Sequence, residues 1–130
     1  MRLAPVLALT LLFGTASAEE PVPSSIDPSL FRVSSTGFHR FLEYRVCSPE
    51  HCWSSAFLQW FDTEVPERGI AATVALPEIG YGKAVETARW LWSAEKPRLE
   101  LRVAPSHGGF EPYTFIVEPG SPGKYQSSRK

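Results

Sequence analysis

The run Arg98-Leu99-Glu100-Leu101-Arg102-Val103 constrains this chain most, because three apolar side chains alternate strictly with three charged ones. Successive side chains of an extended strand point to opposite faces, so the run separates into one dry face and one wet face only as a β-strand. A helix would scatter the same residues around its circumference.

The same period recurs upstream. Phe38, Arg40, Leu42, Tyr44 and Val46 alternate with His39, Phe41, Glu43, Arg45 and Cys47, which suits a strand with one strongly apolar face. In Trp53 to Phe61 both alternating sets are apolar: Trp53, Phe57 and Phe61 on one side, Ala56, Leu58 and Trp60 on the other. A strand apolar on both sides is expected at the centre of a sheet. Ile70, Ala72, Val74 and Leu76 mark a third strand that Pro77 ends, and Tyr113 to Glu118 forms another after the turn His107-Gly108-Gly109. Residues 83–95 fit two patterns: Val85, Ala88 and Trp92 share a helical face, whereas Ala88, Trp90 and Trp92 share a strand face. The turn residues Ala94 to Pro97, leading into Arg98, favour a strand. The expected fold is therefore mainly β, a single antiparallel sheet of five to six strands, sandwich-like or curled onto itself. One sheet this apolar needs a cover. A helix at 83–95 would supply that cover instead.

The two ends read differently from this middle. Arg2, the apolar stretch Leu3 to Phe13, and the small residues Ala16-Ser17-Ala18 form the three parts of a secretory signal peptide over residues 1–18. The apolar stretch is roughly half the ~20 residues that span a bilayer, so no stable membrane anchor is expected. Residues 19–30, with three prolines, read as an extended arm, residues 31–118 as a single β domain, and residues 119–130 as a flexible tail. The expected location is the periplasm, or outside the cell. Without Arg2 the chain carries 12 Lys and Arg against 14 Asp and Glu, a net charge of −2. No basic excess is present to bind phosphate backbones, so nucleic acid is not an expected partner. Met1 is the only methionine and leaves with the signal peptide, which removes thioether ligation. No cofactor is expected.

One stretch gathers cysteine, histidine and a carboxylate: Cys47-Ser48-Pro49-Glu50-His51-Cys52. Four residues between the cysteines is a hairpin-loop length, so the two can face each other across a strand pair. In an oxidising compartment they are expected to form a disulfide, with no odd cysteine left over. Cycling between dithiol and disulfide is a competing reading, but the spacing is not that of a C-x-x-C motif. Metal ligation by Cys47, Cys52 and His51, with His39 or His107, competes too; oxidation would remove the thiolates, and no metal site is expected. The remaining readings are a plain structural staple and a recognition loop. A loop locked by a disulfide loses less entropy on docking.

These residues carry a family resemblance. The C-x-P-x-x-C hairpin followed by an apolar strand resembles the inhibitory loop of the Ivy family of periplasmic lysozyme inhibitors. Cys47, Pro49 and Cys52 match that loop, with Glu50 at the position of the family's histidine and His51 one place later. The resemblance implies a small sheet-rich exported protein whose loop enters the cleft of a cell-wall hydrolase. Ser48, Pro49, Glu50, His51 and Trp53 are then the expected binding residues, and another protein of the cell envelope is the expected partner. An immunity protein against a periplasmic toxin, and an envelope assembly or redox accessory protein, are the alternatives.

No catalytic residues are expected. His39, His51 and His107 are the only imidazole bases, and no G-x-S-x-G or H-E-x-x-H pattern accompanies them. Glu78 and Glu86 are a formal pair for glycoside chemistry, though scattered carboxylates are the ordinary case. Trp53, Trp60, Trp90 and Trp92 read as core rather than as a platform for sugar or peptide, with Trp53 placed to reach the loop end of the sheet.

Overall fold

The structure is a computed structural model of the chain, and it describes residues 22–62, 64, 69–80, 82–93, 96–106 and 111–130. The expected signal peptide (1–18), the start of the arm (19–21), the turn residues 94–95, and His107 with its two glycines lie outside the described residues.

After a short 3-10 turn at Pro28–Leu30, capped by the Asp27 side chain on the Ser29 amide, the described residues form eight strands. They are β1 (Arg32–Ser35), β2 (His39–Cys47), β3 (Cys52–Phe61), β4 (Ile70–Ala75), β5 (Lys83–Ser93), β6 (Lys96–Pro105), β7 (Tyr113–Pro119) and β8 (Tyr125–Arg129). They form two antiparallel four-stranded sheets, ordered β1-β2-β3-β4 and β5-β6-β7-β8. Each sheet uses consecutive strands, so only the segment from Leu76 to Gly82 joins one sheet to the other.

The chain is mainly β, as its alternation implies, but the expected single sheet of five to six strands is corrected to two sheets of four. The two extra strands are β1, Arg-Val-Ser-Ser, and β8, Tyr-Gln-Ser-Ser-Arg, both too polar to show an apolar period. The first follows directly on the arm. The second lies in the segment expected to be a tail, and pairs with β7 from Phe115↔Arg129 to Pro119↔Tyr125. The helix considered at 83–95 gives way to strand across Lys83–Ser93, where Trp90 pairs with Leu99 and Ala88 with Leu101.

One core lies between the sheets. Phe41, Leu58 and Val74 from β2, β3 and β4 meet Val85, Leu99, Leu101, Val103, Phe115 and Val117 from the second sheet. On β6 the alternation works as written in the sequence: Leu99, Leu101 and Val103 are all 0% exposed, and Arg102 between them is exposed. On β2 the outcome differs from one apolar face and one polar face. The core takes the set containing Phe41 and, with it, Glu43; Leu42 on the opposite face is buried too. On β3 both sets are buried, Ala56, Leu58 and Trp60 inward and Phe57 and Gln59 outward, and the strand is central, between β2 and β4.

Candidate functional site

The β2–β3 hairpin places Cys47 opposite Cys52 in the ladder, and their sulfurs are joined. Beyond the bridge the loop tightens further than four free residues. The Ser48 amide donates to the His51 carbonyl at 2.8 Å, so Ser48 and His51 form one more rung and Pro49-Glu50 is the apex. The ring of Pro49 fixes φ near the value that the first corner of a turn requires. The Ser48 hydroxyl fastens the rest: it accepts from the Glu50 amide at 3.4 Å and the His51 amide at 3.2 Å, and donates to the His51 carbonyl at 3.3 Å. A serine that satisfies its own turn in this way is a local substitute for further ladder bonds.

The tip presents polar chemistry. Ser48, Pro49 and Glu50 are exposed and His51 is half-buried, its Nε2 3.9 Å from Glu50 Oε2. The structure thus brings Ser48, Pro49, Glu50 and His51 together at one apex. Trp53, the fifth expected residue, is half-buried one position past Cys52, pairs with Val46, and follows the outer face of the sheet by strand alternation. That outer face carries rings close by: Tyr44 stacks on Phe57 with centroids 6.4 Å apart, and Phe31 meets Tyr44 edge-on at 5.4 Å.

The other residues singled out in the sequence lie elsewhere. His39 starts β2, roughly 25 Å along the strand from Cys47 at ~3.3 Å per residue. It is stacked on Trp90 at 5.8 Å and meets Trp60 edge-on at 6.1 Å, and burial pushes its imidazole below the usual histidine range. The indoles are themselves fixed, Trp60 donating to the Gly120 carbonyl and Trp90 to the Ser34 carbonyl, each at 3.0 Å. Trp60 is core, Trp90 is half-buried, and Trp92 is 57% exposed. Glu78 and Glu86 do not form a pair. The carboxyl of Glu78 accepts from the Tyr125 hydroxyl at 2.7 Å and the Ser127 hydroxyl at 2.8 Å, while Glu86 is exposed and its carbonyl accepts from Arg32. Burial, and then that bond to Glu78, raise the Tyr125 hydroxyl well above the ordinary tyrosine range. Among the described residues, no three His, Cys, Asp or Glu side chains converge as a metal-binding group.

A second polar constellation went unread in the sequence. Glu43, buried on the inner face, pairs with Arg32, its direct neighbour across the β1–β2 ladder. The Arg32 guanidinium continues to the second sheet, donating to the carbonyls of Val85 and Glu86. Arg45 also donates to the Val85 carbonyl, at 2.8 Å, and the Val85 amide donates to the Ser54 hydroxyl at 2.8 Å. The register shift of β5 between Val85 and Thr87 is what disturbs the ladder there. A bulge leaves backbone groups without their regular partners, and the two arginines take one carbonyl of this bulge between them. The available signal was a glutamate inside the strand Phe41-Leu42-Glu43-Tyr44, with an arginine in the polar stretch before it.

Compared with family models, curated proteins and solved structures, the chain matches none.

Proposed function

We propose that this is an exported, periplasmic protein that acts by binding, with the stapled β2–β3 tip as its contact element. The observation that carries the reading is the way the tip is prebuilt. A disulfide, a proline and one serine hydroxyl hold Ser48 to His51 in a single exposed turn, so docking costs little further ordering.

The resemblance of Cys47, Pro49 and Cys52 to the Ivy-family loop makes a lysozyme-like cell-wall hydrolase the partner of first choice. In this proposal the apex plugs the catalytic cleft sterically, with His51 as hydrogen-bond donor, Glu50 against a positive rim, and Trp53 and Tyr44 at the edge of the footprint. The test is inhibition of a panel of purified lysozymes and other cell-wall hydrolases by the purified protein. Saturable inhibition that His51→Ala or Glu50→Ala weakens supports the proposal. Wild type and His51→Ala equally inactive against every enzyme would end the hydrolase assignment. A pull-down from envelope extracts, repeated with a Cys47→Ser/Cys52→Ser double variant, tests the broader idea of a binding tip: a partner captured equally well by both proteins contacts some other surface.

A further inference from the structure

We propose that the N-terminal arm is a strap: residues 22–31 lie over the outward face of the first sheet, held there by apolar contact alone, and lift to uncover an apolar strip. The strip follows from the register. Val33, Leu42, Phe57 and Ala75 are neighbours in turn across β1 to β4 and point away from the second sheet. Along that row exposure falls sharply: Val33 is 53% exposed, whereas Leu42 and Phe57 are 7% and 3%. No described strand crosses this face, because the second sheet packs on the other one. Something else shields its centre.

The arm is placed to do so. Phe31, its last residue, meets Tyr44 edge-on, and Tyr44 in turn stacks on Phe57. Between Val22 and Asp27 the apolar side chains Val22, Pro23 and Ile26 are half-buried while Ser24, Ser25 and Asp27 are exposed, so this stretch rests with one side on a surface. The turn Pro28–Leu30 between the two contacts is exposed throughout.

Such an attachment can be undone. Every hydrogen bond of residues 22–31 among the described residues stays inside the arm: Ile26 donates to Pro23, Ser29 and Leu30 to Asp27, and Phe31 to Pro28. The polar row beside the strip is likewise closed on itself, Arg40 donating to Gln59 at 2.8 Å and Gln59 to Thr73 at 3.2 Å. Lifting the arm therefore exposes apolar surface without leaving a buried donor or acceptor unpaired. The uncovered strip suits a partner that brings apolar side chains.

The test needs no partner. A nitroxide on Ser25→Cys, in the purified protein with its Cys47–Cys52 bridge intact, should broaden the Leu42 methyls and the Phe57 amide and leave the Arg102 amide, outward on the second sheet, sharp. Ile26→Ser should raise the exposure of the Leu42 methyls to a soluble gadolinium chelate roughly fivefold, the loss of one half-buried aliphatic contact. Amide protection of Leu99 and Leu101 in β6 should not change. The proposal is overturned if the label fails to select Leu42 and Phe57, or if the broadening fades on dilution, which would put a second copy on the face. It is also overturned if Ile26→Ser leaves the methyls as shielded as before, or lowers protection in β6 as much as it opens the strip, which would make the arm part of the core.

Discussion

The stapled tip and the β1–β5 junction both tie strands together, but they join parts of the chain at different scales. The disulfide links residues 5 apart in sequence, at an exposed apex, by a covalent bond. Arg32 links residues 53 apart, from one sheet to the other, through a buried carboxyl and two backbone carbonyls. Closing a short loop removes little freedom from the unfolded chain, so the covalent link serves mainly to keep a shape. The polar link closes a long segment and covers a bulge where the edges of the two sheets meet, beside the apolar core that both sheets share.

Of the two links, the one through Arg32 is expected to cost the protein most when removed. Arg32→Ala strands Glu43 without its cation and takes a donor from the Glu86 carbonyl and from the Val85 carbonyl, which keeps Arg45; a loss of about 3 kcal/mol is expected, at the low end for breaking a buried pair because Arg32 itself is half-exposed. Urea unfolding followed by tryptophan fluorescence measures it. Next comes Cys47→Ser/Cys52→Ser, for which the loop length sets a loss of ~2 kcal/mol. Hydrogen exchange should show faster opening at residues 46–53 and unchanged protection in β6. Should the double variant lose more stability than Arg32→Ala, the ranking of the two links is reversed.

The smallest effect is a pH response, and it concerns the sheet contact rather than the tip. His39 sits between Trp60 and Trp90 with its pKa lowered by burial from 6.5. The unfolded chain therefore takes up this proton at a higher pH than the folded protein does. Stability should be unaffected by this group above pH 6.5, fall as the pH drops through 6.5, and level off below the folded pKa. His39→Gln should remove that part of the slope in urea midpoints measured between pH 5 and pH 7, a window set by the ordinary histidine value. An unchanged slope in the variant would show that His39 does not couple to folding.

What could be read in advance depended on how many faces of a strand are buried. β6 was legible because it has one dry side, and Leu99, Leu101 and Val103 announce it. β3 was legible as central because it has two. The edge strands were harder. β1 and β8 contribute little to the core, and in an edge strand the pairing of the backbone can outweigh the character of the side chains. Their presence follows from pairing partners, which periodicity does not record. The same holds for the sites. The tip residues are contiguous, so Cys47 to Cys52 could be found by inspection. Arg32, Glu43, Arg45, Ser54 and Val85 come from four strands, and only folding brings them together. The second sheet was hidden for a related reason: alternation tells which residues face inward, without saying whether they meet their own sheet curled over or another one.

The order of strands along the chain has a consequence for assembly. Every pairing within a sheet joins consecutive strands, so β1 to β4 can reach their final hydrogen bonding before any of β5 to β8 is in place. The contacts of Arg32, Arg45, Ser54, Trp60 and Trp90 with the opposite half stand outside that local pairing. A chain cut between Leu76 and Gly82 would therefore leave all the strands of each ladder in one peptide, and bringing the two peptides together would depend on their concentration.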